Sequence, residues 1–333
     1  MNVLGIETSC DETAFSIVKD GKEILGEVLS SSLKYHKKYG GIIPEIASRM
    51  HLEVEVALFK ELLKKTKLNY KDIDLVAVTC GPGLLGSLLV GVSFAKAIAY
   101  ALNKPLVGVN HLHAHLYPVF FNHNLDFPFI GLVVSGGHTN LFYVRDFLNL
   151  ELLGKSLDDA CGEVLDKIAR ILDLGYPGGP FIERMAKKGN PKSLSFSPIK
   201  TKAPLDFSFS GIKTAVVYYL KKRGFLSGLK RIPLSLKYDL CASFQEVIFN
   251  SLIEKSFLAC RLKKVNRLVI GGGVACNQYL REKFLSSSLK EKIKVYFSPL
   301  QHCQDNASMV AGLGYGLFKK GKSDGFDLEV FTD

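Results

Sequence analysis

Two short segments with one shared pattern constrain the fold of this chain more than any other feature. Residues 3–9 and 14–18 have the pattern of two strands around a polar turn, and residues 130–134 and 140–144 repeat it around a glycine-containing turn. One such hairpin in each half of the chain predicts an internal repeat. We therefore expect two related domains.

The segments outside the hairpins alternate between strand and helix patterns. Residues 52–65 have helical periodicity, residues 75–79 form a short apolar strand, and Gly81-Pro82-Gly83 then begins an apolar helix. Further strands are predicted at 106–109 and 267–270. Strands that alternate with helices predict an α/β class with mainly parallel sheets.

Length and composition suit two domains. The chain has 333 residues, of which 47% are hydrophobic, enough for two packed cores. We expect an N-terminal lobe over 1–110 and a C-terminal lobe over 111–333, with a ligand cleft between them and the last helix packed back on the N-terminal lobe. The seven cysteines form no C-x-x-C pair, which indicates reduced thiols rather than disulfides or a cysteine zinc site.

The N-terminal sequence and one apolar segment bear on localisation. The first residues look like a strand and not like a signal peptide, which predicts a cytoplasmic protein. Residues 83–102 are almost wholly apolar but include Lys96, and strand patterns flank them. A buried helix is the better interpretation than a membrane span, so we expect no membrane association.

The net charge of +11 is concentrated in one segment. Residues 187–237 carry twelve Lys and Arg against one acid, Asp206, with aromatic residues interleaved. Such a segment is either an ordinary solvated surface or a face that contacts the phosphates of a polyanion. Charge alone does not decide between them.

Three histidines alternate directly after the strand at 106–109. His111 and His115 are four residues apart, so on a helix they would share one face and could hold one metal ion. Residue 112 is leucine, so the H-E-x-x-H pattern of zinc peptidases lacks its general base. This favours a metal that binds or polarises a substrate. His113 is out of step with the pair, which indicates a structural or supporting role.

Two glycine-rich turns are candidate phosphate and nucleoside sites. The turn from Val134 to Thr139 contains Gly136 and Gly137, whose amides could surround a phosphate, although an ordinary hairpin would look the same. Residues 271–273 are three glycines that precede Asn277, and here a purine or sugar could lie against the backbone. The alternative is a turn that lets a helix pack close to its strand. The spacing is not that of a dinucleotide fingerprint.

The two hairpins and the glycine-rich step resemble the superfamily of actin, sugar kinases and heat-shock chaperone ATPases (ASKHA), in which two related lobes bind ATP in a cleft. Seven motifs narrow the resemblance to the tRNA N6-adenosine threonylcarbamoyltransferase family of bacterial type, formerly called glycoprotease or O-sialoglycoprotein endopeptidase. They run in family order and are Ile6-Glu7-Thr8-Ser9-Cys10-Asp11-Glu12-Thr13-Ala14, Gly81-Pro82-Gly83-Leu84, Asn110-His111-Leu112-His113-Ala114-His115, Ser135-Gly136-Gly137-His138-Thr139, Tyr176-Pro177-Gly178-Gly179-Pro180, Phe207-Ser208-Phe209-Ser210-Gly211 and Gly271-Gly272-Gly273-Val274-Ala275.

The resemblance implies the residues of the site. It implies one divalent metal per subunit, Fe²⁺ or Zn²⁺, held by His111, His115 and Asp305, although Asp305 also looks placed to cap a helix. His302, close to Asp305, is expected to be a surface histidine. The residues implied to bind the substrate are Val134, Ser135, Gly136, Gly137, His138, Asp166, Gly179, Glu183 and Asn277.

The resemblance also implies an activity and partners. The family transfers a threonylcarbamoyl group from threonylcarbamoyl-adenylate to N6 of adenosine 37 in tRNAs that read ANN codons, and ATP or ADP can occupy the cleft. Asp11 and Glu12 are candidates for the base that accepts the N6 proton, because the first hairpin is expected to aim them at the cleft. Expected partners are tRNA, a paralogous actin-like subunit that lacks the metal site (TsaB-like) and a small P-loop ATPase (TsaE-like).

Three other functions remain open from the sequence. A small-molecule kinase of the same superfamily would share the hairpins but needs a Mg²⁺ site rather than a histidine pair. A metallopeptidase would need a glutamate at position 112. A catalytically silent scaffold subunit would lack the histidines and the late aspartate that this chain has.

Overall fold

The computed structural model describes residues 1–36, 39–197, 200–226 and 230–332. The chain forms two units. The first consists of Met1–Leu125, Asp146–Asn149 and Ser298–Asp333, and the second of Asp126–Arg145 and Leu150–Phe297.

The division differs from the expected lobes 1–110 and 111–333. The segment that carries His111 and His115 and the whole C-terminal segment from Ser298 belong to the first unit. The reason is packing: the last helix contacts all five strands of the first sheet, as expected for a helix that packs back on the N-terminal lobe, so the chain crosses to the second unit and returns.

Runs of two or three strands and runs of helices follow one another along the described chain, so the strict alternation expected from the sequence holds only in part. The strands are β1 (Asn2–Glu7), β2 (Glu12–Lys19), β3 (Glu23–Ser31), β4 (Leu75–Gly81), β5 (Leu106–Asn110), β6 (Phe129–Val134), β7 (Thr139–Val144), β8 (Leu150–Lys155), β9 (Arg267–Gly271) and β10 (Lys294–Phe297). The helices are α1 (Leu33–His36), α2 (Pro44–Thr66), α3 (Leu85–Leu102), α4 (His111–Ala114), α5 (Val119–Asn122), α6 (Cys161–Ile171), α7 (Gly178–Ala186), α8 (Ser210–Lys222), α9 (Leu234–Lys263), α10 (Gln278–Glu291) and α11 (Ala307–Lys319).

Each unit contains a five-stranded sheet, and the two sheets have the same topology. The orders are β3-β2-β1-β4-β5 and β8-β7-β6-β9-β10. In each sheet, three consecutive strands pair antiparallel and two further strands extend the sheet in parallel. The sheets are therefore mixed, and the expectation of mainly parallel sheets is wrong. The predicted hairpins are confirmed as β1–β2 and β6–β7, with Val3 opposite Val18 and Ile130 opposite Tyr143. The repeat anticipated from the sequence is therefore a repeat of a whole sheet.

The first sheet is buried on both faces. Side chains alternate across a strand, so Leu4 and Ile6 lie in one apolar cluster and Val3 in another. Helices α2 and α3 cover the first face, and α11 covers the second. The last helix approaches β1 closely because residue 5 is glycine: a Cβ there would lie 2.2 Å from the carbonyl oxygen of Ala307.

Helix α3 is the one helix of the described chain that is long and apolar enough to cross a membrane. Its residues Leu88, Val92, Ala95 and Ala99 are buried, and the helix packs on β4 and α2. These contacts fit the interpretation of this segment as a core helix.

Helix α2 contains a buried acid whose charge is uncompensated. Glu55 is 9% exposed, and its Oε2 has no hydrogen-bond partner among the described residues. Burial raises the pKa of Glu55 from 4.5 to about 7. The folded protein therefore binds this proton more tightly than the unfolded chain does. Ionisation of Glu55 lowers the free energy of unfolding: the loss is absent below pH 4.5, grows between pH 4.5 and about 7, and is complete above the folded pKa.

We expect Glu55→Gln to raise the free energy of unfolding by roughly 1 to 2 kcal/mol at pH 8 and to leave it nearly unchanged at pH 4, allowing for the water that reaches this helix. Urea titrations at both pH values measure the difference. The control is Glu53→Gln, an exposed glutamate on the same helix. Equal gains at both pH values would contradict the assigned cause.

Candidate active site

The carboxyl ends of β1, β4 and β5 lie at one edge of the first sheet, because these strands are parallel. Strand β5 runs directly into α4, and the Asn110 side chain accepts hydrogen bonds from the N–H groups of Leu112 (2.9 Å) and His113 (3.1 Å). This cap begins the helical turn that places His111 and His115 on one side, with ring centroids 4.7 Å apart.

Asp305 completes a three-residue cluster with these histidines. One ligand atom from each residue lies within 4.8 Å of the others. Oδ1 of Asp305 is 3.2 Å from Nε2 of His115 and 3.7 Å from Nε2 of His111. The cap of α11 is Asn306, whose side chain accepts from the N–H of Met309. The alternative of Asp305 as a plain helix cap is therefore corrected, and its carboxylate faces the histidines.

The cluster fits a divalent metal. His115 is fully buried, and neither of its ring nitrogens has a hydrogen-bond partner among the residues that the structure describes. Buried polar atoms are normally paired, and Nε2 makes no hydrogen bond although it lies 3.2 Å from Oδ1 of Asp305, so this nitrogen calls for a ligand. Two imidazoles and one carboxylate suit Zn²⁺ or Fe²⁺ and leave coordination positions for a substrate.

The acids around the cluster carry excess negative charge. Burial, together with the charges of Asp305 and Asp11, raises the pKa of Glu12 to about 10. Burial lowers the pKa of His111, but the charges of Asp305 and Glu7 outweigh it and raise this pKa to about 9. Both shifts show that this edge of the sheet favours a bound cation.

The other histidines near the cluster are not part of it. His113 lies outside the cluster of ligand atoms, and burial, followed by the charge of Lys322, lowers its pKa to about 4. His302 is 7% exposed, so the expectation of a surface histidine is wrong. Its Nδ1 lies 3.2 Å from Oγ of Ser308 on α11, which explains the burial.

The second unit gathers the remaining predicted residues at the carboxyl edge of its own sheet. Val134 ends β6, and Ser135 to His138 form the turn to β7, closed by a bond from the N–H of Ser135 to the carbonyl of His138. Helix α6 begins here, since the N–H of Gly162 donates to the carbonyl of Ser135. A Cβ at Gly136, Gly137 or Gly179 would meet no described atom within 4 Å.

Three predicted polar residues hold helix N-termini at this edge. Asp166 accepts from the N–H of Gly178 (2.6 Å), and burial raises its pKa. Glu183 accepts from the N–H of Gln278 (3.0 Å). Asn277 caps α10 through Oδ1 and donates through Nδ2 to Gln245. The N-termini of α7 and α10 are thus fixed around the glycine turns, an arrangement suited to anions.

Comparison with known proteins identifies the family. A family model described as TsaD, tRNA N6-adenosine threonylcarbamoyltransferase, matches residues 23–312. The protein of that description from Thermosipho melanesiensis is 50% identical over 326 residues, which cover 97% of this chain and 97% of the relative. The chain belongs to this family. The one from Dictyoglomus turgidum is 49% identical over 329 residues, covering 97% of this chain and 96% of the relative.

Family membership confirms the main sequence-based predictions. The chain is a transferase that forms threonylcarbamoyl-adenosine in tRNA, so the kinase, peptidase and scaffold alternatives are set aside. The family also implies a metal-dependent enzyme, and the His111–His115–Asp305 cluster is the candidate site.

Solved structures confirm the fold. HypF from T. kodakarensis has a TM-score of 0.64 and 16% sequence identity, with 96% of this chain and 48% of that chain covered. The chain thus spans about half the length of HypF. Component A of (R)-2-hydroxyglutaryl-CoA dehydratase from Acidaminococcus fermentans has a TM-score of 0.53 and 18% identity, with 97% and 100% covered. Both similarities support the predicted ASKHA-type α/β fold.

The basic segment 187–237 is largely surface in the second unit, although residues 198–199 and 227–229 lie outside the described residues. Ten of its twelve basic side chains are exposed; the half-buried ones are Lys213, which pairs with Asp159, and Lys237. Helix α8 ends in Lys221 and Lys222, followed by Arg223, whose guanidinium lies 3.8 Å from the centroid of Tyr219. The interleaved Phe207 and Phe209 are fully buried and belong to the core.

Proposed function

We propose that this chain transfers the threonylcarbamoyl group from threonylcarbamoyl-adenylate to N6 of adenosine 37 in ANN-reading tRNAs, with one Fe²⁺ or Zn²⁺ ion held by His111, His115 and Asp305. The observation that carries the metal part of the proposal is the fully buried His115, whose Nε2 makes no hydrogen bond to the described residues although it lies 3.2 Å from Oδ1 of Asp305 and in one cluster with His111. Family membership supports the reaction.

The protein residues prepare the site for an already activated donor. When bound, the metal acts as a Lewis acid that polarises the carbonyl of the threonylcarbamoyl group and orients it. His111, His115 and Asp305 would supply three ligand atoms, of which the two histidines are buried and Asp305 is half-buried.

We assign the adenylate to the second unit. The amides of Gly136 and Gly137 would hold the phosphate, with Val134, Ser135 and His138 fixing the turn that presents them. The space in front of Gly179 and the helix N-termini held by Asp166, Glu183 and Asn277 would take the nucleoside. ATP or ADP would occupy the same place.

The proton that leaves N6 is assigned to Asp11, in the turn from β1 to β2, or to Glu12, the first residue of β2, at the edge that carries the metal cluster. Glu12 can accept the proton only when a bound cation offsets the negative charge that raises its pKa. The amide variant of the true base is expected to slow single-turnover transfer by about 10²- to 10⁴-fold, whereas the other variant keeps most of its rate. Rapid-quench measurements on Asp11→Asn and Glu12→Gln at saturating tRNA separate the two. Normal rates in both variants would exclude both residues.

The exposed end of α8 is assigned to the tRNA phosphates. Reversing the charges of Lys221, Lys222 and Arg223 to glutamate is expected to weaken tRNA binding roughly 10- to 100-fold and to lower the slope of log affinity against log salt by about 3. The matched control reverses three exposed lysines of the first unit, Lys60, Lys64 and Lys71, and changes the net charge equally. Equal losses in both triple variants would show a general charge effect and overturn the assignment.

Transfer of labelled threonine tests the function itself. The reaction contains threonylcarbamoyl-adenylate, unmodified ANN-decoding tRNA, this chain and the two proposed partners, a TsaB-like subunit and a TsaE-like ATPase. Label in the tRNA that requires this chain supports the proposal. Absence of label with verified partners and intact tRNA would overturn it.

A further inference from the structure

A fully buried carboxylate lies behind the candidate metal cluster. Glu7 is the last residue of β1 and is 0% exposed. It accepts three hydrogen bonds: from the N–H of Ser9 (2.6 Å) to Oε1, and from Oγ1 of Thr79 (2.6 Å) and Nδ1 of His111 (3.1 Å) to Oε2. Glutamate is rarely buried without such partners, because an isolated buried charge is very costly.

The bond to His111 has a direct consequence for its other ring nitrogen. A neutral imidazole that donates from Nδ1 to a carboxylate carries its lone pair on Nε2, and in the protonated ring the Nε2 proton is the one that a metal ion would displace. Nε2 is also the nitrogen that faces Asp305, at 3.7 Å. Oγ of Ser9, 3.2 Å from the same Nδ1, adds a second contact on that side of the ring. The contacts of Glu7 and Ser9 with Nδ1 therefore determine both the orientation of the His111 ring and its tautomer.

The two histidines of the cluster differ in this respect. Nδ1 of His115 has no hydrogen-bond partner among the described residues, whereas Nδ1 of His111 contacts both Glu7 and Ser9. Glu7 is itself fixed by Thr79 on the neighbouring strand β4 and by the backbone of the β1–β2 turn. His111 is thus held in place by Glu7 of β1 and Thr79 of β4 without a bound metal.

We propose that Glu7 is a positioning residue that holds His111 in the Nδ1–H tautomer with Nε2 directed at the metal, and that Thr79 and Ser9 hold Glu7. A carboxylate that accepts from a metal-ligating histidine fixes the ring and raises its basicity, and losing it typically weakens metal binding 10- to 100-fold. This inference rests on the metal site of the proposed function. It gives Glu7 a role that requires no contact with the substrate.

Zinc affinity of the full chain, measured by competition with a chromophoric chelator, tests this role apart from activity. Glu7→Gln keeps the shape of the side chain but removes the charge, and we expect a 10- to 100-fold weaker affinity for zinc. Thr79→Val removes one donor to Glu7, and we expect a roughly 3- to 10-fold loss. The matched control is Glu55→Gln, a buried glutamate of the same unit outside the metal cluster, which is expected to leave zinc affinity unchanged.

Ring nitrogen NMR of the zinc-loaded protein gives a second readout that a merely structural role would not change. We expect His111 to show a protonated Nδ1 whose proton is shifted downfield and exchanges slowly, and Glu7→Gln to lose both features while thermal unfolding still reports a folded protein. If Glu7→Gln does not fold, Thr79→Val carries the same comparison.

The outcomes separate this inference from the proposed function. Wild-type affinity in Glu7→Gln, or zinc bound through Nδ1 of His111, would overturn the positioning role and leave the metal site standing. Failure of the wild-type chain to bind zinc, or equal affinity in His111→Ala, would overturn the metal site and this inference with it. A loss restricted to Glu7 and Thr79 variants, with Glu55→Gln unaffected, supports both.

Discussion

Replacing His111 and His115 together by alanine is expected to abolish transfer of labelled threonine into unmodified ANN-decoding tRNA, with a loss of at least about 10³-fold. The double variant removes two of the three ligand atoms in the cluster and leaves Asp305 alone, which is too few ligands to retain a divalent ion. Without the ion, nothing in the cluster offsets charge that develops on the donor carbonyl.

The measurement compares transfer rate and metal content in the same preparations. Elemental analysis of the wild-type chain is expected to give about one metal ion per chain and of the double variant none. The control is His123→Ala, an exposed histidine of the first unit outside the cluster, which is expected to keep both the ion and the rate. Transfer that persists in a metal-free double variant would contradict the proposed role of the metal.

Gly5→Ala is expected to destabilise the first unit by about 3 to 5 kcal/mol and to lower its unfolding temperature by about 10 °C. The new Cβ would lie 2.2 Å from the carbonyl oxygen of Ala307 and 2.7 Å from the backbone nitrogen of Ala311. Both atoms belong to the backbone of α11, which no rotamer change can move. The helix would have to shift away from β1, and the contacts of its buried face would be lost.

Calorimetry of the variant and the wild-type chain measures this effect. The control is Gly86→Ala on α3, where the nearest atom to a new Cβ is a serine Cβ at 3.1 Å and the helix itself gains from alanine. Equal unfolding temperatures for Gly5→Ala and wild type would show that the approach of β1 and α11 tolerates a methyl group. Because α11 directly follows Asp305, we also expect Gly5→Ala to bind metal more weakly.

The sequence determined those features whose signal is local. Alternating apolar residues predicted the hairpins that became β1–β2 and β6–β7, and buried runs predicted β4, β5 and β9. The four-residue spacing of His111 and His115 placed both rings on one side of a helical turn, because a helix brings every fourth residue to the same face. The motif order was sufficient to recognise the family, which the comparisons confirm.

Weakly patterned elements were missed for a physical reason. Strand β8 is largely exposed, and β10 is short and half-buried, so neither shows the alternation that a one-sided strand has. Hydrogen bonds to β7 and β9 make these segments strands, and the residues of β8 and β10 alone do not predict that pairing.

The sequence by itself thus determined the two hairpins, several buried strands, the histidine pair and the family. Only the tertiary structure decided that His111 and His115 belong to the first unit, that Asn306 and not Asp305 caps α11, that His302 is buried, and that Glu7 contacts His111 across 104 positions of the chain. Periodicity and spacing report contacts between near neighbours in the chain. Contacts between distant residues depend on which faces pack together, and packing exists only once the sheets and helices have assembled.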